Sequence, residues 1–290
     1  MRPERDPTPY ELVVELLVEA GAARRATGPE ERLADLGMDS LAVADVALAI
    51  EEQLGVRLPA VEDGAVYTVG DIVGAIEHPA QAGPRVPPRF GTWRGWVRPL
   101  GAAVVRPYTA LEVLGAEHVA LDGPLILAPN HRSMLDIPVL VVAAPRKVTF
   151  MAKQELYVNR PLSLLWRKLG GFPVRREVAD LRAMDTALAL LERGEAVAVY
   201  PEGTRNRGGR EPLLPFLQGA AWLALRTGVT IVPCGVRGTG LRAPLWKRRH
   251  VRVAFGRPVP VEREDDLGIR RKKQEVLTDE LAAAVAGLLL

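Results

Sequence analysis

The sequence predicts two domains: a small all-α bundle over residues 1–78, and an α/β domain over 91–290 with a mostly parallel or mixed sheet flanked by helices. Three observations predict them. Residues 79–90 carry four prolines in twelve positions, a stretch that neither continues a helix nor fills a central strand. Before it, apolar residues recur at helical spacing and strand alternation is absent. After it, short apolar runs alternate with helical stretches, the pattern of a layered α/β fold. Charge divides at the same place. Residues 1–78 hold six Arg and no Lys against sixteen acidic residues, a net −10, and the remainder carries +13. The Pro-rich stretch reads as a semi-stiff tether of roughly 40 Å when extended.

Taken in order, the first helix spans 10–22, where Leu12, Val13, Leu16 and Leu17 fall near a 3.6-residue period. The second spans 40–54, from Leu41 through Val43, Val46, Leu48 and Ile50 to Leu54, and the third spans 69–77, with Val69, Ile72, Val73 and Ile76. Beyond the tether, strands are expected at 125–128, 147–151, 172–175, 196–200, 229–233 and 250–255. Helices are expected at 136–144, 160–169, 179–193 and 215–227. In such folds chemistry sits where strands run into loops.

Composition closes several classes. Of 290 residues, 48% are hydrophobic and 25% charged, enough for a packed core and too apolar for global disorder. No run reaches 18 apolar residues, and Leu281 to Leu290 is too short to span a bilayer. Glu4, Asp6, Glu11, Glu15 and Glu19 make the first twenty residues unlike a secretion signal. A cytoplasmic protein without a membrane span is the expectation. One cysteine, Cys234, excludes an internal disulfide, and with four scattered histidines the sequence offers no metal site. Cys234 itself reads as core. The basic charge comes with no nucleic-acid recognition module, so no nucleic-acid partner is expected. Phe90, Trp93, Val97, Leu100 and Val104 recur at helical spacing beside Arg89, Arg94, Arg98 and Arg106. That profile suits peripheral membrane contact or a domain-packing helix, broken at Pro99. The clusters Lys247–Arg249 and Arg270–Lys273 suit anionic lipid, the acidic first domain, or plain solvent.

Ser40 lies at or beside a helix start, after Gly37 and Asp39. Alone, it reads as an N-cap serine. The stretch from Leu36 to Pro59, LGMDSLAVADVALAIEEQLGVRLP, closely resembles an acyl carrier protein around its modified serine, and Tyr67 to Ile72 resembles the start of that family's last helix. The resemblance covers 1–78. It implies a four-helix carrier bundle whose Ser40 takes a covalent 4′-phosphopantetheine arm from a phosphopantetheinyl transferase, the arm holding an acyl group as a thioester.

In the second domain, strand 125–128 runs into Pro129-Asn130-His131-Arg132-Ser133-Met134-Leu135-Asp136. On an ideal helix a five-residue step turns about 500°, so His131 and Asp136 meet only if the first is in the loop and the second in the first helical turn. A carboxylate placed there would hold the imidazole and leave its other nitrogen free to accept a proton. Helix capping by Asp136 is the plainer alternative. Downstream, strand 196–200 ends in Tyr200-Pro201-Glu202-Gly203-Thr204-Arg205, a polar or anion-binding loop or a solvated one.

Together these motifs resemble the 1-acylglycerol-3-phosphate acyltransferase family. His131 and Asp136 match its first block. Gly171 to Arg176 resembles the second, with Arg176 at the family arginine. Glu202-Gly203-Thr204-Arg205 matches the third, and Ile231 to Cys234 resembles the fourth. The resemblance implies His131 as general base and Asp136 as its orienting partner. It sets Arg176, Glu202, Gly203, Thr204 and Arg205 around a hydroxyl acceptor, a lipid such as 1-acylglycerol-3-phosphate. The donor is an acyl thioester on the carrier or on CoA. Leu217 departs from the family, which often has lysine there, and this weakens the case for a phosphate-bearing acceptor. The sequence also fits transfer to a natural-product alcohol, or a non-catalytic module that presents acyl groups.

Overall fold

The computed structural model describes residues 7–58, 67–79, 98–120, 122–175, 180–207, 213–240 and 248–290. The expected tether lies outside them apart from Pro79, as do Phe90, Trp93 and Val97 of the amphipathic stretch. The chain forms two units.

The first unit is helical. α1 (Pro9–Glu19) starts with a capping box: the Thr8 hydroxyl accepts from Glu11 N–H, and the Glu11 carboxylate accepts from Thr8 N–H. It stops short of the expected residue 22, because Ala20 caps it and Gly21 turns into the positive-φ region at 94°. α2 (Ser40–Leu54) ends at Gly55, φ 69°. α3 (Val69–Glu77) carries a second capping box, Thr68 with Asp71. Leu33, Leu36, Val46, Ile50, Val69 and Ile72 form the center of the core, each at most 1% exposed. Each such side chain stabilizes the fold by about 1.5–3 kcal/mol. Three α-helices and a 3₁₀ turn at Leu33–Leu36 are seen among the described residues, so the unit is helical as expected.

The second unit is a mixed seven-stranded sheet. Its strands are β1 (Thr109–Leu114), β2 (Leu125–Pro129), β3 (Val148–Lys153), β4 (Gly171–Val174), β5 (Ala196–Ala198), β6 (Ile231–Arg237) and β7 (Arg249–Phe255), in the order β1-β7-β6-β2-β5-β3-β4. β2 to β6 share one direction. β7 pairs antiparallel with β6, and β1 follows β7. β2 and β5 are wholly buried, which explains why they read as continuous apolar runs. The helices are α4 (Arg98–Val105), α5 (Asp136–Ala143), α6 (Arg160–Lys168), α7 (Leu181–Glu192), α8 (Gly219–Thr227) and α9 (Leu267–Leu288). Pro99 stands in the first turn of α4, where a missing N–H costs nothing.

β1 and α9 were not expected. β1 is an edge strand in which Glu112 and Leu114 are exposed and only Thr109 is buried. α9 begins with a charged turn that reads as a surface cluster. There the structure corrects the sequence. Arg270 is fully buried, donating to the carbonyls of Glu264 (2.6 Å) and Asp265 (3.1 Å), and Lys273 pairs with Glu264 at 2.5 Å. These two side chains fasten α9 to the preceding loop and are not a free basic patch. Among the described residues no helix is long and apolar enough to cross a membrane.

Candidate active site

β2 ends at Pro129, and the chain enters the site through Asn130. This side chain is fully buried. Its Oδ1 accepts from Val236 N–H (2.6 Å) and its Nδ2 donates to Val236 carbonyl (3.0 Å). The amide thus imitates one more residue of strand pairing between β2 and β6, and it fixes where the next residue points.

That residue is His131. Its N–H donates to Glu202 Oε1 at 2.6 Å, and its carbonyl accepts from Asn206 N–H at 2.8 Å. Its Nδ1 lies 2.9 Å from Asp136 Oδ2. His131 occupies the loop and Asp136 opens α5, so the two side chains converge. Asp136 has no exposed surface, and its Oδ2 also accepts the N–H groups of Arg132 and Ser133, at 2.7 Å each. An oxygen that already accepts two backbone N–H groups accepts from the ring as well, so Nδ1 carries the hydrogen, and in the neutral imidazole Nε2 presents a lone pair. One oxygen therefore both holds the imidazole and closes the turn before α5, whereas the helix itself has Leu135 at its N-cap position and no side-chain cap, so the plainer capping reading of Asp136 does not hold. Among the described residues Asp136 Oδ1 has no hydrogen-bond partner. Ser133 is buried, and its hydroxyl accepts from Leu135 N–H at 3.2 Å, a turn role.

Tyr200 lies against the imidazole, ring centroids 4.3 Å apart and tilted by 37°. Burial pushes its phenol well above the usual range, and the nearby charge of Asp136 adds to this. Its hydroxyl therefore stays neutral. The same burial, with Asp136 adding, raises the Cys234 thiol, which is inert core in β6.

The 202–206 loop packs onto this center. Glu202 was expected around the acceptor, but both its oxygens face backbone: Oε1 accepts from His131 and Oε2 from Leu214 N–H at 2.9 Å. It is a strut between two loops. Burial raises its titration, opposed by those two N–H groups and by the charge of Arg132. Gly203 takes φ 62°, and a Cβ there would lie 2.4 Å from Leu217 Cδ1. Only glycine fits this turn without strain. Thr204 is exposed and Arg205 half-buried, and neither side chain is hydrogen-bonded or ion-paired among the described residues. Both are free to meet a ligand. Arg176 lies outside the described residues.

In the helical unit, Asp39 is the N-cap of α2, its carboxylate accepting from Leu41 (3.0 Å) and Ala42 (2.8 Å). Ser40 is the first helical residue and exposed, which removes the N-cap reading of Ser40. Its neighborhood fits a phosphodiester: an accessible hydroxyl at the positive end of a fifteen-residue helix. Among the described residues no group of three or more His, Cys, Asp or Glu could hold a metal ion.

Comparison with known proteins matches residues 11–76 to the family model for a phosphopantetheine attachment site and residues 110–237 to the acyltransferase model. The chain joins a phosphopantetheine-attachment domain to an acyltransferase domain. The acyltransferase domain is similar to the 1-acyl-sn-glycerol-3-phosphate acyltransferase of Bacillus subtilis (strain 168), with 28% identity over 51% of this chain and 73% of that protein. It is also similar to the chloroplastic 1-acyl-sn-glycerol-3-phosphate acyltransferase BAT2 of Brassica napus, 29% identical over 53% of this chain. That match spans 46% of the plant protein, so the chain corresponds to about half its length. Among solved structures, the 1-acyl-sn-glycerophosphate acyltransferase PlsC from Thermotoga maritima is 26% identical, with a TM-score of 0.49 over 64% of this chain and 77% of that one.

Sequence reasoning found His131 and Asp136 but missed Asn130, Tyr200 and Asn206. Asn130 directly follows a buried strand and directly precedes a histidine, a position where an amide has to find a partner. Nothing in the spacing marks Tyr200 or Asn206, whose partner His131 lies about seventy residues upstream.

Proposed function

We propose that the protein moves an acyl group from a thioester to the hydroxyl of a lysophospholipid of the 1-acylglycerol-3-phosphate class. The carrier domain takes 1–78, the tether 79–90 and the acyltransferase domain 91–290. The observation that carries this reading is the 2.9 Å contact between His131 Nδ1 and Asp136 Oδ2, with Nε2 of the same ring unengaged among the described residues. The names of the similar proteins support the acceptor class.

In this reading Ser40 bears the 4′-phosphopantetheine, added by a phosphopantetheinyl transferase, and that arm supplies a thioester whose thiol leaves readily near its reference pKa of about 8.5. His131 Nε2 accepts the proton of the acceptor hydroxyl as its oxygen attacks the acyl carbonyl. Asp136 stabilizes the resulting imidazolium and keeps the ring from turning. Tyr200 walls the ring from water. Arg205 and Thr204 bind the polar head of the acceptor, joined by Arg176, and Gly203 lets the backbone approach it. Glu202 holds His131 in place. The proton then passes from His131 to the leaving sulfur, and the carbon–sulfur bond breaks as the ester forms. The acceptor comes from a bilayer, which the protein meets peripherally.

A second reading keeps the chemistry and changes the acceptor to an uncharged alcohol. Leu217, 61% exposed and set against Gly203, favors it, since an apolar side chain stands where a cation would meet phosphate. Intact-mass analysis of acyl-loaded protein, incubated with 1-acylglycerol-3-phosphate or with phosphate-free alcohols, tests both. Loss of the acyl mass with lysophosphatidate alone supports the first reading. Loss with the phosphate-free alcohols alone supports the second, and no loss with either sinks the enzyme.

A further inference from the structure

The segment between β3 and β4 presents an unusual surface. Val158 is 81% exposed, Leu164 55% and Leu165 40%. On α6, Arg160, Leu164 and Lys168 stand four residues apart and so form one row along the outward side, with Leu165 beside it. Trp166 points inward, 7% exposed and edge-on to Phe150 at 6.3 Å. From Leu156 to Lys168 the chain carries Arg160, Arg167 and Lys168 and no acidic residue. Arg167 lies over the Tyr157 ring, 5.6 Å from its centroid. Just upstream, the charge of Glu155 is met by Lys153 at 2.6 Å.

A helix face turned to water ordinarily mixes both signs of charge with few large apolar groups. This one mixes leucine and valine with cations only. The apolar groups seek hydrocarbon and the cations seek anions, a pairing met at the surface of an anionic bilayer. A second copy of the chain is a poor occupant, since a twofold contact would set the same cations against one another.

We propose that the outward face of α6, headed by Val158, is the surface on which the protein rests on an anionic phospholipid bilayer. The inference deepens the lipid-acceptor reading and rests on it. β3 leads toward Val158 at the same end of the sheet at which β2 leads to His131, because the strands between them are parallel. A bilayer on this surface would therefore lie beside the end of the sheet that holds the imidazole.

The test uses the full chain and vesicles of phosphatidylglycerol or phosphatidylcholine. The wild type should co-sediment with phosphatidylglycerol vesicles, less so at high salt, and weakly with phosphatidylcholine. L164E/L165E should lower the partition about tenfold or more. A fluorophore at L164C should shift to the blue when anionic vesicles are added, while one at V276C on α9, 60% exposed, should not. The labeled variants keep the test decisive should the charged one misfold. Undiminished binding of a folded L164E/L165E overturns the proposal. So does an L164C probe that ignores vesicles, or one that shifts with protein concentration alone, the signature of a second copy or its acidic carrier. Transfer measured separately on detergent-dispersed acceptor distinguishes the two failures: wild type inactive there defeats the enzyme reading and leaves the vesicle result standing.

Discussion

His131 is bonded through its N–H, its carbonyl and its ring, and is 6% exposed. Ser40 is exposed, and among the described residues its hydroxyl makes no hydrogen bond; only its neighbor Asp39 is tied down. Under the proposed function the contrast follows from the role of each residue. A base must hold one nitrogen in one direction, so its loop is fixed from several sides. A residue that carries a group must be reached by a second enzyme and then release its cargo, so access matters more than aim. Changes at the first loop should therefore propagate, and changes at Ser40 should stay local.

The largest effect is expected from His131→Ala. Transfer should fall about 10²–10⁴-fold, while intact mass shows Ser40 still loaded. A variant that transfers at the wild-type rate would erase the contrast. Asn130→Ala comes next. It strands the N–H and the carbonyl of Val236 in the core, so denaturant unfolding of the acyltransferase domain should show a loss of about 2–4 kcal/mol, with activity falling as the His131 loop loosens. Gly203→Ala should cost about 1–3 kcal/mol through positive φ and the Leu217 contact. Adding Leu217→Ala should recover the steric part only, which a double-mutant cycle reads directly.

Smaller effects are expected in the helical unit. Asp39→Ala removes the cap of α2 and should lower stability by about 1 kcal/mol. Ser40→Ala should change it by less than about 0.5 kcal/mol while abolishing modification. Equal costs for the two would mean that Ser40 is structural after all. Smallest is an acid effect. The hydroxyl and then the N–H of Thr27 hold Glu31 down at about 2, against an ordinary 4.5. This raises stability fully above pH 4.5 and loses the gain as pH falls toward 2. Glu31→Gln should flatten that part of the acid-unfolding curve relative to wild type.

Legibility in the sequence followed how local the determinants are. α2 and α3 read correctly at both ends, because a cap, an apolar period and a glycine or polar stop lie within one stretch. β2 and β5 were visible because burial on both faces makes them uniformly apolar. β1 was not, since an edge strand partly exposed to water matches neither pattern, and α9 was hidden because its buried Arg270 looks like surface. The same rule applies at the site. His131 and Asp136 are five residues apart, and loop-then-helix geometry was enough to bring them together. Asn130 answers to Val236, 106 residues away, and no local pattern encodes that meeting. The strut role of Glu202 was invisible for the same reason, its partners being His131 and Leu214.

That strut has a mechanical consequence. One carboxylate grips the imidazole's own backbone with one oxygen and, with the other, the stretch that leads into α8. Whatever shifts Leu214 pulls on the His131 backbone through a two-bond lever, so under the proposed function occupancy of the loop and aim of the base become one variable.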